Sequence, residues 1–390
     1  MHDLEKLVSL AKRRGFIYPG SEIYGGLAGT WDYGPFGVTL KTNIKNLWWN
    51  MFVEMREDVF GIDAAILMNP KAWEASGHVA GFSDPLVECE KCHKRFRADQ
   101  IIGSIDGGCP DCGGKLSEAR QFNMMFKTNV GATEDGSSVS YLRPETAGGI
   151  FVNFKNVVDS IHPKLPFGIA QIGRAFRNEI APRDFIFRAR EFEQMEIEYF
   201  IRKEEWEKQF DDWKDSINKW IIAVGIDKER IYELEVPEAD RAHYSKRTVD
   251  FEFDFPFGRK ELYGLAYRTD FDLSAHAKFS GADLEYFDEE TKEKFIAHVI
   301  EPSLGVDRTV LAVLSSAYAE DELGGEKRIF LKLKPEIAPV KVAVFPLVKN
   351  KENISVRARE IYKILKSKIS GVAWDDNGNI GKRYRRQDEI

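Results

Sequence analysis

The sequence predicts an α+β protein: antiparallel hairpins interleaved with helices, interrupted by a cysteine insert and followed by the start of a separate α/β unit. Three observations carry that class. TVDFEFDFPFGRKELYGLAYRTDFDL (248–273) alternates apolar and polar residues on either side of PFGRK, the mark of a half-buried antiparallel hairpin. FRNEIAPRDFIFRAREFEQMEIEYF (176–200) reads as a strand, a loop over Ala181 to Phe187, and a returning strand. After residue 334 an apolar strand (VKVAVFPLV), a helix (ENISVRAREIYKILKSKI) and VAWDD make a β-α-β start, which calls for a parallel sheet.

The remaining elements follow in order. MHDLEKLVSLAKRRGF has the spacing of a short amphipathic helix, and its acidic residues and lack of a cleavage site argue against a signal peptide. GGLAGTWDYGPFG (25–37), dense in Gly and aromatics, leads into a helix over VTLKTNIKNLWWNMFVEMRE. Between 119 and 200, short β-rich runs are punctuated by Gly and Pro, with one helix at TAGGIFVNFKNVVDSI. Residues 203–224 carry Trp, Lys, Asp and Glu at helical spacing and read as a surface helix. A Gly-containing turn opens VDRTVLAVLSSAYAED, a helix expected to end near the Gly pair at 324–325. Pro335 and Pro339 mark a linker. The β-α-β unit after it has only about 50 residues, so its native domain is expected to be longer.

A chain of 390 residues exceeds one ordinary core, so two or three domains are expected. Its net charge of −7 rules out a blanket polyanion binder; contact with nucleic acid must come from local basic patches. No apolar run approaches the roughly 18 residues that span a bilayer, and a cytoplasmic location is expected by default.

The four cysteines form two CxxC pairs, Cys89/Cys92 and Cys109/Cys112, with sixteen residues between the pairs. Each pair makes a tight knuckle, and four thiolates close a tetrahedral Zn²⁺ shell with no open position, so the metal is expected to be structural. Four reduced thiols, or a relic site, is the alternative. His93 reads as a bystander, with replacement of a cysteine as the other reading. The basic KCHKRFR suits either a phosphate backbone or a solvated face.

The arginine-rich hairpin raises the sharpest question. On strands, Arg177 and Glu179 share a face, as do Arg188, Arg190 and Phe192. Such a set suits one ligand: an Arg on an α-phosphate, a carboxylate accepting from an exocyclic amine, a ring on a purine, and a second Arg on the outer phosphates. A salt-bridge ladder on an exposed face is the plain alternative.

FRNE…RAREF resembles motif 2 of the class II aminoacyl-tRNA synthetases, IEPSLGVDRTVLAVL (300–314) resembles their motif 3, and GTWDYGPFGVTLKTNIKNLWW (29–49) resembles their dimer-forming motif 1, with Pro35 near the interface. Within that class RPETAGGIFVNF, REFEQMEIEYF, SGHVAGF, RTDFDL and VIEPS resemble the dimeric glycyl-tRNA synthetase family, over nearly the whole chain. No GxxxxGK[ST] and no well-placed GxGxxG competes.

The resemblance implies an antiparallel catalytic sheet flanked by helices over 1–334, with a zinc-ribbon-like insert at 86–118, a helical insertion at about 203–247, and part of an anticodon-binding domain at 335–390. It implies ATP, Mg²⁺ bridging phosphate oxygens, structural Zn²⁺, glycine and tRNA(Gly) as substrates, and a homodimer. Carried over, Arg177 contacts the α-phosphate and the amino-acid carboxylate, Glu179 reads the adenine amine, and Arg188 meets the outer phosphates. Phe192 stacks on adenine and Arg308 grips the γ-phosphate. Glu145, Glu196 and Glu301 are the ammonium-facing carboxylates, with Glu193 and Glu198 close enough to Glu196 to compete; Arg268 and Ser303 complete the glycine pocket. One departure stands out: Gly148 replaces the family's usual Gln in ETAGG, which puts full activity in question. KRYRRQ (382–387) suits RNA or a plain exposed charge run. Two rivals remain, a non-catalytic synthetase-like accessory protein and a zinc-ribbon RNA-binding module. The first typically loses the arginines or the Phe, all of which are present here.

Overall fold

The computed structural model describes residues 3–101, 108–132, 138–323 and 325–390. Helix α1 (Leu4–Arg13) starts where the Asp3 carboxylate accepts from the Glu5 N–H, and ends on Lys12 and Arg13, the charges its dipole favours. Pro35, whose fixed φ suits a first helical position, opens α2 (Pro35–Trp49). Strand β1 (Val59–Gly61) and the short helix α3 (Pro70–Ala75) precede the insert, a three-stranded sheet of β2 (Ser83–Glu88), β3 (Arg95–Arg97) and β4 (Arg120–Asn123) in the order β3-β2-β4.

Helix α4 (Ala147–Ile161) leads to the long strands β5 (Phe167–Phe176) and β6 (Glu191–Ile201). Helix α5 (Trp206–Val224) stops at Gly225, whose φ of 85° few other residues adopt. Strand β7 (Ile231–Glu235) and the hairpin β8 (Arg247–Phe255) and β9 (Gly258–Thr269) follow, then α6 (Phe271–Ser280), β10 (His298–Gly305) and α7 (Val306–Ala317). A second hairpin, β11 (Tyr318–Leu323) and β12 (Glu326–Leu331), precedes the C-terminal unit of β13 (Val342–Val344), α8 (Glu352–Lys366), β14 (Val372–Trp374) and α9 (Ile380–Asp388). There β13 and β14 pair in parallel, as a β-α-β crossover requires.

The main sheet runs β7-β8-β9-β10-β6-β5-β1, antiparallel at every pairing except β1 beside β5. Strand alternation gives its two faces opposite characters. Met195, Ile197 and Tyr199 of β6, Val249, Phe251 and Phe253 of β8, and Tyr263 and Leu265 of β9 point into one core, packed beneath α2, α5 and α7. Each such side chain contributes about 1.5–3 kcal/mol by leaving water. The other face is apolar only at one end, where Phe151 and Phe154 of α4 and Leu273 of α6 meet Phe167 and Phe200. Elsewhere it presents buried polar groups, among them Glu196, Glu198, Arg268 and Glu301. A sheet that is oily behind and charged in front is built to hold something polar.

Three expectations change. Helix α5 is amphipathic rather than a surface element: Phe210, Trp213, Ile217 and Trp220 are buried in the core. Helix α7 ends at Ala317, where the chain turns into β11; Gly324 lies outside the described residues, as do 102–107 of the insert. The strands of the arginine hairpin are shorter than their pattern: β5 stops at Phe176 and β6 begins at Glu191. One further backbone bond, from Arg177 N to Arg190 O (2.9 Å), extends the ladder. Asp184 and Phe185 then take left-handed φ of 60° and 59°, turning Phe185, Ile186 and Phe187 into the interior. Burial of those three apolar residues overrides continued pairing. Arg177, Glu179, Arg188 and Arg190 therefore lie on the connecting loop, and of the expected set only Phe192 is on a strand.

Candidate functional site

The polar face of the sheet floors a cleft of about 470 Å³. Arg177, Glu179, Arg188, Phe192 and Arg308 line it, together with Glu145, Glu196, Glu301 and Ser303. The arginines come from two distant parts of the chain: Arg177 and Arg188 from the loop between β5 and β6, and Arg308 from the first turn of α7. Arg177 lies 5.2 Å from the centroid of the Phe192 ring and donates Nε to Pro144 O at 3.1 Å. Arg308 rests 4.5 Å from the Phe187 ring and pairs with Glu261 at 3.2 Å.

Several cleft groups are buried without a hydrogen-bond partner among the described residues. They include Glu179 Oε2 and Arg188 Nη1; both carboxylate oxygens of Glu198, fully buried next to Glu196 and Glu301, are likewise unpartnered. Unsatisfied buried polar atoms cost about 1–3 kcal/mol each, so a cluster of them marks where a ligand bonds. Burial lowers the Arg188 pKa, with Glu179 opposing and the neighbouring Arg97, Arg183 and Arg308 adding to the decrease. This is a cationic wall awaiting a polyanion.

The far end of the cleft is anionic. Alternation along β6 puts Glu196 and Glu198 on one face, and register brings Ser303 opposite Glu196 and Glu301 opposite Ala266. Glu196, Glu198 and Glu301 hold carboxylate oxygens within 4.8 Å of one another. Glu196 accepts from Ser303 Oγ (2.7 Å), Gln194 Nε2 (3.3 Å) and Thr146 Oγ1. Burial, then repulsion from Glu301, pushes Glu198 well above the usual carboxylate range. Burial also raises Glu301, to about 8, against the pull of Arg268. Glu145 goes the other way: burial opposes it, but His78 at 3.3 Å holds its carboxyl at about 2.

Arg268 does not line the cleft. It sits beneath, donating Nη1 to Glu301 (2.8 Å) and Nε and Nη2 to Asp272 (2.8 Å each), with the Tyr244 ring 3.7 Å away. Through that bond it fixes the position of the Glu301 carboxylate. Glu193 lies on the opposite side of β6, paired with Lys41 (2.7 Å) and Lys45 (3.1 Å). Glu193 and Glu196 both border the cleft, whereas Glu198 is fully buried within the carboxylate cluster. Glu198 was legible as a candidate through its i, i+2 spacing from Glu196; Tyr244, His78 and Asp272 carry no such signal. A Cβ on Gly148 would stand 2.8 Å from the ring of the buried Trp73.

At the cationic end Asp250 and Glu261 line the cleft beside Arg308. Burial, then Glu261 and Glu252, raises Asp250 to about 7. A half-buried Asp250 and an exposed Glu261 on neighbouring strands offer oxygen ligands of the kind a divalent cation takes.

In the insert, Cys89 and Cys112 Sγ stand 3.5 Å apart, and Cys92 and Cys109 3.7 Å. Those spacings match the roughly 3.8 Å edge of a tetrahedron with zinc–sulfur bonds near 2.3 Å. They far exceed the roughly 2 Å of a disulfide. His93 is exposed and turned toward Glu88 at 3.6 Å, outside the four-thiol cluster. The basic KRYRRQ is partly engaged internally: Arg383 is buried against the carbonyls of Asp376 and Gly378, and Arg386 pairs with Asp375. Lys382, Tyr384 and Arg385 are exposed.

A family profile described as the tRNA synthetase class II core domain (G, H, P, S and T) matches residues 126–317. Among similar proteins is a glycine–tRNA ligase of Caldanaerobacter subterraneus subsp. tengcongensis, 51% identical over 99% of this chain and 89% of its own. Others of the same description are those of Lachnospira eligens (52%, with 99% and 89% covered) and Thermobifida fusca (51%, with 99% and 88% covered). Giardia lamblia prolyl-tRNA synthetase, solved with prolyl-adenylate, superposes with a TM-score of 0.68 at 17% identity, over 98% of this chain and 67% of that one, a likeness of fold alone. On half-identical sequence along almost its full length, over a cleft with a cationic wall and an anionic end, the chain belongs to the glycine–tRNA ligase family of class II aminoacyl-tRNA synthetases.

Proposed function

We propose that the cleft activates glycine with ATP and passes the glycyl group to the 3′ end of tRNA(Gly). The glycine carboxylate attacks the α-phosphorus in line, pyrophosphate leaves, and a terminal ribose hydroxyl then attacks the adenylate carbonyl, releasing AMP. No protein nucleophile is required, so rate comes from positioning and charge neutralisation. Adenine stacks on Phe192, with Arg308 closing from the other side after releasing Glu261. Glu179 Oε2, buried without a partner, accepts from the adenine amine. Arg177 neutralises the charge developing at the α-phosphate, and Arg188 and Arg308 hold the outer phosphates. Asp250 and Glu261 would hold Mg²⁺, which when bound offsets phosphate charge.

The glycine ammonium lies among Glu145, Glu196, Glu198 and Glu301, while Ser303 keeps Glu196 in place. Discrimination is steric, because a pocket that excludes a methyl group rejects alanine. The observation that carries this reading is the gathering of Arg177, Phe192 and Arg308 around one cleft whose other end is a buried carboxylate cluster.

Zn²⁺ in the four-cysteine insert would be structural. A homodimer would use the apolar patch of Ile23, Tyr24, Leu27 and Val38, whose exposures of 88%, 86%, 60% and 50% are high for such residues. A cytoplasmic location suits the substrates of translation. No described helix is long and apolar enough to cross a membrane. ATP–pyrophosphate exchange tests the whole reading. Exchange is expected with glycine and not with alanine or serine, and folded, zinc-loaded protein that gives none with glycine overturns it.

A further inference from the structure

Residues 177–179 present the nucleotide-facing groups, yet they lie past the last residue of β5 and have almost no ladder of their own. The insert and its flanks stand against them, alongside the bonds from Arg177 Nε to Pro144 O and from Arg190 Nη2 to Glu179 O (3.1 Å each). The Arg177 guanidinium lies 5.3 Å from the ring centroid of Phe82, the residue before β2. Asn178 N donates to the carbonyl of Met124, the residue after β4, at 2.7 Å. Glu179 shares the cleft with Arg97 of β3 and, after Asp99 and Asp84, is one of the charges that raise the Arg97 pKa.

Arg97 is itself fixed. It forks onto Asp99 (Nε–Oδ1 3.1 Å, Nη2–Oδ2 2.7 Å) and bonds Asp84 on the neighbouring strand. With two carboxylates on it, its charge is largely spoken for, so its suited task is to orient Glu179 rather than to bind a phosphate. Phe82, Met124 and Arg97 belong to one small sheet or directly flank it. Strand β3 pairs with β2 over just three residues, and the buried core beneath is Val87, Cys89, Ala98, Cys109 and Leu116. A core of that size cannot hold a fold by itself, and two of its five members are candidate metal ligands.

We propose that the four-cysteine insert is a positioning arm for the nucleotide loop, holding Arg177, Asn178 and Glu179 through Phe82, Met124 and Arg97. The inference rests on the nucleotide reading of the cleft, and its test separates the two. If wild-type protein shows no glycine-dependent exchange, that reading falls; if it does exchange, the ATP affinity of insert variants decides whether the arm operates.

In the full chain, Arg97→Ala is expected to raise both the Kd for ATP by equilibrium dialysis and the KM for ATP by about tenfold, with the KM for glycine changing less than about twofold. Arg97→Lys keeps a cation facing Glu179 and is expected to recover part of the loss. Phe82→Leu removes the ring beneath Arg177 without opening a large hole, and is expected to behave as Arg97→Ala. Protein stripped with a zinc chelator should lose ATP affinity to the same degree and regain it when Zn²⁺ is returned, measured by the same dialysis. The inference is overturned if stripped protein binds ATP as tightly as loaded protein. It is equally overturned if Arg97→Ala and Phe82→Leu keep the wild-type Kd, or if ATP and glycine constants move together.

Discussion

Four carboxylates converge where glycine is proposed to sit, and Arg268 braces one of them, Glu301, from below. Desolvated like charges do not all ionise together, so part of the cluster holds protons in the free protein. Glu301, raised to about 8, is protonated at neutral pH. An ammonium binds the ionised form, so binding near pH 7 must expel a proton. The KM for glycine is therefore expected to fall as pH rises from 6 toward 8 and then to level. A flat profile across that window, followed by exchange kinetics, would sink the assignment of Glu301. The same shift acts on stability: a carboxyl raised above its unfolded value stabilises at low pH and loses that contribution as pH rises toward 8, a loss that glycine should offset.

At the scale of elements, the two arms of the nucleotide clamp are tied behind the cleft. Asp307, next to Arg308, accepts from the Glu193 N–H at 2.7 Å, so the start of α7 is pinned to β6 one residue beyond Phe192. Tyr33 and Lys41 also donate to Asp307, and Lys41 and Lys45 to Glu193. Burial, then Asp307, pushes the Tyr33 hydroxyl well up, so it stays a donor. Lys41→Met would leave Glu193 and Asp307 sharing one cation. It is expected to destabilise the fold by about 3–5 kcal/mol, the cost of breaking a buried pair. Urea unfolding would measure that cost, and a change under about 1 kcal/mol would show the tie to be ornamental.

At the scale of the whole molecule, the exposed patch on the 21–38 segment lies beside this tie. It also touches the nucleotide loop, since Arg190 donates Nη1 to Ala28 O (2.7 Å) and its N–H to Gly29 O (2.7 Å). A partner seated there would press on both anchors of the clamp. Light scattering is expected to give a mass near twice 44.6 kDa for the wild type. Ile23→Asp with Tyr24→Asp should give a monomer with weakened ATP affinity. A wild-type monomer would remove the patch from consideration.

Much of this was legible in one dimension. The alternation of residues 248–273 and the β-α-β pattern after 334 follow from period and composition, because half-buried strands and two-sided parallel strands write different patterns. The two CxxC pairs and the residue types at 177, 179, 188, 192 and 308 named the chemistry, since metal and phosphate ligation depend on side-chain type and spacing. Three-dimensional packing decided the rest. Phe185, Ile186 and Phe187 pulled the arginine loop off its strands to reach the core. Phe82 and Met124 came to the nucleotide loop from the flanks of a separate sheet, and no local pattern encodes contacts between residues as far apart in sequence as Phe82 and Arg177. Arg268 resembled a ligand-binding cation in sequence; the fold sets three of its five N–H donors on Asp272 and Glu301. Residue chemistry is carried along the chain, but which groups remain unpaired, and so free to bind, is settled only when the fold has satisfied all the others.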